Sequence, residues 1–90
     1  MREITQLRKE VNRLDKKTLD LLAKRLELVK KIAEKKQGAG LQVLDREREE
    51  QLKELWKIKA KKLGLEDKSI NRIFEEVLNM SKETQTKVIK

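Results

Sequence analysis

The stretch MREITQLRKEVNRLDKKTLDLLAKRLELVKKIAEKKQ, residues 1–37, decides the fold. It contains no glycine or proline, and Ile4, Leu7, Val11, Leu14, Leu21, Leu28 and Ile32 recur along it at helical spacing, with Arg25 taking a place in the series. The pattern predicts one uninterrupted helix. At about 1.5 Å per residue such a helix runs ~55 Å, whereas a compact chain of 90 residues has a radius of gyration of only ~12 Å. The helix is longer than such a globule is wide, so its apolar face calls for cover from outside the chain, and a second copy about a two-fold axis supplies it. The expectation is a homodimer. A break near Thr18 would instead give a four-helix monomer, but no glycine, proline or loop-like cluster stands there to make one.

Beyond this stretch, Gly38-Ala39-Gly40 stops the first helix near Gln37. Asp45 is placed to cap a second helix from about residue 46 to 63, with Glu47 and Glu49 near the positive end of its dipole, and Gly64 ends it. Asp67 is expected to cap a third helix, whose Ile70, Ile73, Phe74, Val77 and Leu78 are spaced by threes and fours before the stripe turns polar at Ser81 and Gln85. The chain reads as a single all-α domain spanning residues 1–90, one very long N-terminal helix followed by two shorter ones. Any site must then be built between helices.

Composition narrows the chemistry. The chain has no cysteine and no histidine, which excludes disulfides, thiol chemistry and nucleophilic triads and removes the commonest zinc ligand and general base. No metal and no cofactor is expected. Met1-Arg2-Glu3 has no apolar run behind it and no window approaches the ~18 apolar residues of a membrane span, so a cytoplasmic protein without a membrane partner is expected. Lys and Arg outnumber Asp and Glu by 24 to 16, a net charge of +8 that suits nucleic acid, an anionic membrane or small anions. The cations are spread around every helix, aromatic residues for stacking are scarce, and no nucleic-acid motif appears, so nucleic acid is not the expected partner. A plain dimerisation module, joined through the long helix, is the remaining non-enzymatic reading.

The informative charges are those that fall on or beside apolar stripes. Arg25 replaces a hydrophobe, and Lys36, eleven residues on, lies within ~20° of it around the helix, so both suit one interhelical cavity. On the second helix Arg48 shares a face with Leu52 and Leu55, and Glu49 with Leu52 and Trp56; on the third, Ser81 and Gln85 continue the line from Phe74, Val77 and Leu78. A buried cation without a partner is costly, and Arg25, Lys36 and Arg48 against Glu49 leave positive charge over for an anion. Taken singly, each arginine could snorkel to solvent along its stem, but three helices contribute misplaced polar groups near the same end of the bundle. Arg8, beside Leu7 and Val11, is ~26 Å along the axis and ~100° around it from Arg25. One chain cannot bring both to one small ligand, but an antiparallel pair of long helices brings Arg8 of one chain near the Arg25 to Lys36 region of the other.

These residues, in Leu7-Arg8-Lys9-Glu10-Val11, Leu14-Asp15, Leu21-Leu22-Ala23-Lys24-Arg25, Lys35-Lys36, Asp45-Arg46-Glu47-Arg48-Glu49 and Ser81 with Gln85, resemble the all-helical chorismate mutases over nearly the whole chain. Each falls at the spacing of the bacterial and archaeal single-domain members. The resemblance implies an intertwined homodimer of three-helix chains with sites completed in trans, a role in phenylalanine and tyrosine biosynthesis, and conversion of chorismate to prephenate. It assigns Arg8 of the partner chain and Arg25 to the two carboxylates of chorismate, Arg48 and Ser81 to binding and site geometry, and Asp45 and Glu49 to the ring hydroxyl. Lys36 and Gln85 would hydrogen-bond the ether oxygen, so that Lys36, Gln85, Arg25 and Glu49 form the implied catalytic set.

That reaction is a Claisen rearrangement, needing no nucleophile, proton transfer, metal or cofactor, in agreement with a chain lacking His and Cys. Gln85 is neutral at every pH, which implies activity through neutral pH without an acid optimum. Gln42 stands where relatives often have proline, and no extension suggests a regulatory domain. An isochorismate-pyruvate lyase is the rival within the same fold.

Overall fold

A computed structural model of the chain describes residues 2–40 and 45–88, and the secondary structure among them is three helices: α1 (Arg2–Gly38), α2 (Arg46–Lys62) and α3 (Asp67–Val88). α1 runs through Thr18 without a break, and the Thr18 hydroxyl donates to the Leu14 carbonyl at 2.9 Å, a local bond that leaves the helical backbone intact. The helix ends one residue later than the sequence suggests. Gly38 is still helical, and the chain turns at Gly40, which has φ +71° and whose amide donates to the Gln37 carbonyl at 3.1 Å. Gln42 lies outside the described residues.

Asp45 caps α2 as its position requires. It is extended, its Oδ1 accepts from the Arg48 amide at 3.0 Å, and its carbonyl accepts from the Glu49 amide at 3.0 Å. At the other end Leu65 donates to the Ala60 carbonyl (3.0 Å) and Gly64 to the Lys61 carbonyl (3.2 Å), with Gly64 at φ +71°. This paired closure, with a left-handed glycine just past the cap residue Leu63, is the Schellman arrangement. The cap expected at Asp67 is displaced by one residue. Asp67 is already helical, while the Glu66 carbonyl accepts from the Ile70 amide at 3.0 Å and the Glu66 carboxylate accepts from the Ser69 hydroxyl at 2.8 Å. Glu66 therefore takes the cap position that the sequence pattern assigned to Asp67, with its carboxylate on the Ser69 hydroxyl and not on a backbone amide.

α3 is the central element: it packs against both α1 and α2, whereas α1 and α2 do not pack against each other. The buried apolar residues are Ala33 of α1, Ala60 of α2, and Phe74 and Val77 of α3. The Trp56 ring meets Phe74 edge to face, centroids 5.3 Å apart, and ties α2 to α3. This core is small because α1 outruns its neighbours. The chain measures 58 × 23 × 15 Å with a radius of gyration of 16.6 Å, well above the ~12 Å of a compact chain of its length. Every described side chain of α1 from residue 3 to 20 is exposed, including Leu7, Val11 and Leu14, each more than half accessible.

Candidate active site

A cavity of about 460 Å³ lies between the C-terminal half of α1, the first turns of α2 and the last turns of α3. Arg25, Leu28, Val29, Ile32 and Lys36 line it from α1, Asp45, Arg48, Glu49 and Leu52 from the start of α2, and Leu78, Ser81, Lys82 and Gln85 from α3. A volume of this order suits a small organic ligand. A cleft of about 440 Å³ lies between Lys30, Glu34 and Gln37 of α1 and Thr84, Lys87 and Val88 of α3, without the convergent arginines of the first, and a smaller one between α2 and α3 beside Trp56 and Phe74 holds about 150 Å³. Arg25, Lys36, Asp45, Arg48, Glu49, Ser81 and Gln85 thus come together as the sequence spacing suggests, and Arg8 does not join them. Arg8 sits on the exposed part of α1, ~26 Å along the axis from Arg25.

The local reasons are visible residue by residue. Eleven residues make about three helical turns, so Arg25 and Lys36 open onto the same space, with Leu28 and Ile32 forming the apolar wall between them. Lys36 lies in the last turn of α1, where the negative end of the helix dipole favours a cation. Ser81 explains how a hydroxyl comes to stand on a buried stripe. It is only 3% exposed, its Oγ donates to the Val77 carbonyl at 2.9 Å, and it accepts a hydrogen bond from Arg25 Nη1. Its one proton is committed to the backbone, which leaves its lone pairs to hold the guanidinium. Asp45 enters the cavity with Oδ1 engaged at the α2 amide, so the capping bond also fixes this carboxylate in place.

Burial, and then the neighbouring Arg48 cation, lower the Arg25 guanidinium from its ordinary value. Since the folded state disfavours the charged form, the cost to stability is present at every pH below the folded pKa and eases only as pH rises through it, far into the alkaline range. Over the working pH range it is a constant penalty. Arg25→Met, which keeps the stem and removes the charge, is therefore expected to unfold at a temperature equal to or above that of the wild type. A Tm lowered by more than about 5 °C in thermal denaturation would mean that the cation supports the fold.

Sequence reasoning missed Lys82. Its Nζ stands 3.3 Å from Glu49 Oε1 across the cavity, the two side chains being 40% and 24% exposed. Among so many lysines it reads as a solvated charge, yet it lies four residues after Leu78 and three before Gln85, on the face that lines the cavity. With Lys82 included, four cations face two carboxylates. Leu28, Val29, Ile32, Leu52 and Leu78 give the cavity its apolar wall, and among its polar groups Asp45 and Ser81 are held by hydrogen bonds. Among the described residues no group of His, Cys, Asp and Glu is arranged to hold a metal ion, and no helix is long and apolar enough to cross a membrane.

Arginine, lysine, serine and glutamine from three helices thus meet in a net-positive cavity whose charge and size suit a small anion. A family profile described as chorismate mutase type II matches residues 7–86, and the chain belongs to that family. It is 38% identical over 79 residues to the T-protein of Enterobacter agglomerans, covering 88% of this chain and 21% of that protein. It is 36% identical over 83 residues to the bifunctional chorismate mutase/prephenate dehydratase of Buchnera aphidicola from Acyrthosiphon pisum, covering 92% of this chain and 22% of that protein. The chain thus spans about a fifth of the length of these curated relatives. No solved structure matches it.

Proposed function

We propose that the chain is a chorismate mutase, converting chorismate to prephenate in phenylalanine and tyrosine biosynthesis, in the cytoplasm, and without a cofactor. The observation that carries this reading is the convergence of Arg25, Lys36, Asp45, Arg48, Glu49, Ser81 and Gln85 on one cavity in a chain of this family. The substrate is a dianion, and this chain's part of the cavity carries a surplus of two positive charges, to which Arg8 of the other chain would add a third. The reaction breaks a C–O bond and forms a C–C bond in one step, through a folded, chair-like arrangement of the substrate. Holding that conformer replaces a rare event in water with a bound geometry. Arg25, steadied by Ser81, takes a carboxylate; Arg48 adds charge and shape; Asp45 and Glu49 accept from the ring hydroxyl.

Lys36 and Gln85 donate to the ether oxygen, where negative charge grows as the bond breaks. Donors already in place when that charge develops lower the barrier, because no solvent must reorganise.

The functional unit is a homodimer with each site completed by Arg8 of the other chain. The chain alone exposes 8047 Å², whereas a compact protein of 10.7 kDa exposes about 5,500 Å². An excess of this size is what an extensive, permanent interface covers, and the exposed Leu7, Val11 and Leu14 beside Arg8 supply its apolar part.

Incubation with chorismate, and separately with isochorismate, tests the reading, with products identified by NMR. Prephenate from chorismate is the expected product. Pyruvate from isochorismate alone would assign the same cavity to a lyase, and no change of either substrate by a folded protein would refute the enzyme reading.

A further inference from the structure

The reaction above, on which the following rests, gives Glu49 a role but none to Lys82, its ion-pair partner. We propose that Lys82 is a positioning residue for Glu49, holding its carboxylate toward the ring hydroxyl and screening its charge from the incoming dianion. Glu49 is otherwise an odd component of an anion site. A lone carboxylate there would repel both carboxylates of the substrate, but an ammonium 3.3 Å from its Oε1 makes the pair neutral toward the ligand. One ammonium does not exhaust a carboxylate, which offers about four acceptor sites, so the ring hydroxyl can still be accepted.

The topology explains why the hold comes from α3. α1 and α2 do not pack on each other, and α3 touches both. Lys82 follows Ser81, which holds Arg25, and precedes Gln85 by three residues, so one stretch of α3 places groups for both walls. Leu78 and Lys82, one helical turn apart, both line the cavity, and the Lys82 ammonium reaches across to Glu49 of α2. A pair this accessible adds little to stability, and its effect should therefore appear in substrate binding.

The test is steady-state kinetics with chorismate on the full chain carrying Lys82→Met, Lys82→Gln, Lys82→Arg, Glu49→Gln and the Lys82→Met/Glu49→Gln double substitution, with Tm measured for each. Lys82→Met and Lys82→Gln are expected to raise KM about 10-fold while kcat stays within about 3-fold of wild type. Lys82→Arg should bring KM back to within about 3-fold. In the Glu49→Gln background Lys82→Met should change KM by less than about 2-fold, because the carboxylate it serves is gone. A KM unmoved by Met or Gln at position 82 overturns the proposal, as does an undiminished 10-fold rise in the Glu49→Gln background, which would put Lys82 on the substrate itself. Wild-type protein inert toward chorismate overturns the proposed reaction and this role together, whereas active wild type with indifferent Lys82 variants overturns this role alone.

Discussion

Lys36→Ala is expected to lower kcat by about 10²- to 10³-fold and to leave the helical content unchanged. The size of the loss follows from where the charge develops. As the C–O bond of chorismate lengthens, its oxygen becomes more negative than in the bound substrate, so a donor aimed at it stabilises the transition state more than the ground state. Lys36 is half-buried at the cavity wall, fixed to the last turn of a continuous helix. Truncation to alanine in the last turn of α1 keeps the helix, since alanine is the strongest helix former, while giving up a favourable dipole contact. Single-turnover rates, with circular dichroism as the control for folding, check this. Near-normal turnover would remove Lys36 from the reaction, and a collapsed spectrum would make it structural.

Mixing two inactive variants should restore activity. Arg8→Ala lacks the proposed trans contribution, and Lys36→Ala lacks a group of the cavity itself. In a dimer holding one chain of each, the cavity of the Arg8→Ala chain receives an intact Arg8 from its partner and keeps its own Lys36. The other cavity has lost both. Random exchange puts about half of the chains into such mixed dimers, and with one intact site of two the mixture should recover about a quarter of wild-type turnover per chain. Refolding the variants together, and assaying against each refolded alone, gives the measurement. Absence of recovery despite mixed dimers would place Arg8 outside the site, and a monomer in sedimentation would remove the trans arrangement altogether.

Much of this was legible in the sequence because the signals were local. The length of α1 follows from the absence of Gly and Pro up to Gln37, and the end of α2 from Gly64, which takes the left-handed backbone that closes the helix. Asp45 could be read as a cap because its carboxylate needs only an amide three residues on. Asp67 and Glu66 could not be separated in the same way, since the Glu66 carbonyl serves the first amide bond and its carboxylate turns to Ser69 instead. Arg25 and Lys36 were visible as interruptions of a periodic stripe. Lys82 was not, because its meaning depends on Glu49 of another helix 33 positions earlier, a relation that spacing along one helix does not encode. The bond from Arg25 to Ser81 is likewise a product of packing α1 on α3.

With α1 and α2 each resting on α3 and not on one another, the cavity is an open book whose spine is α3. A dianion bound by Arg25 and Lys36 on one page and Arg48 on the other would close it, becoming the keystone between two helices that the polypeptide itself leaves apart.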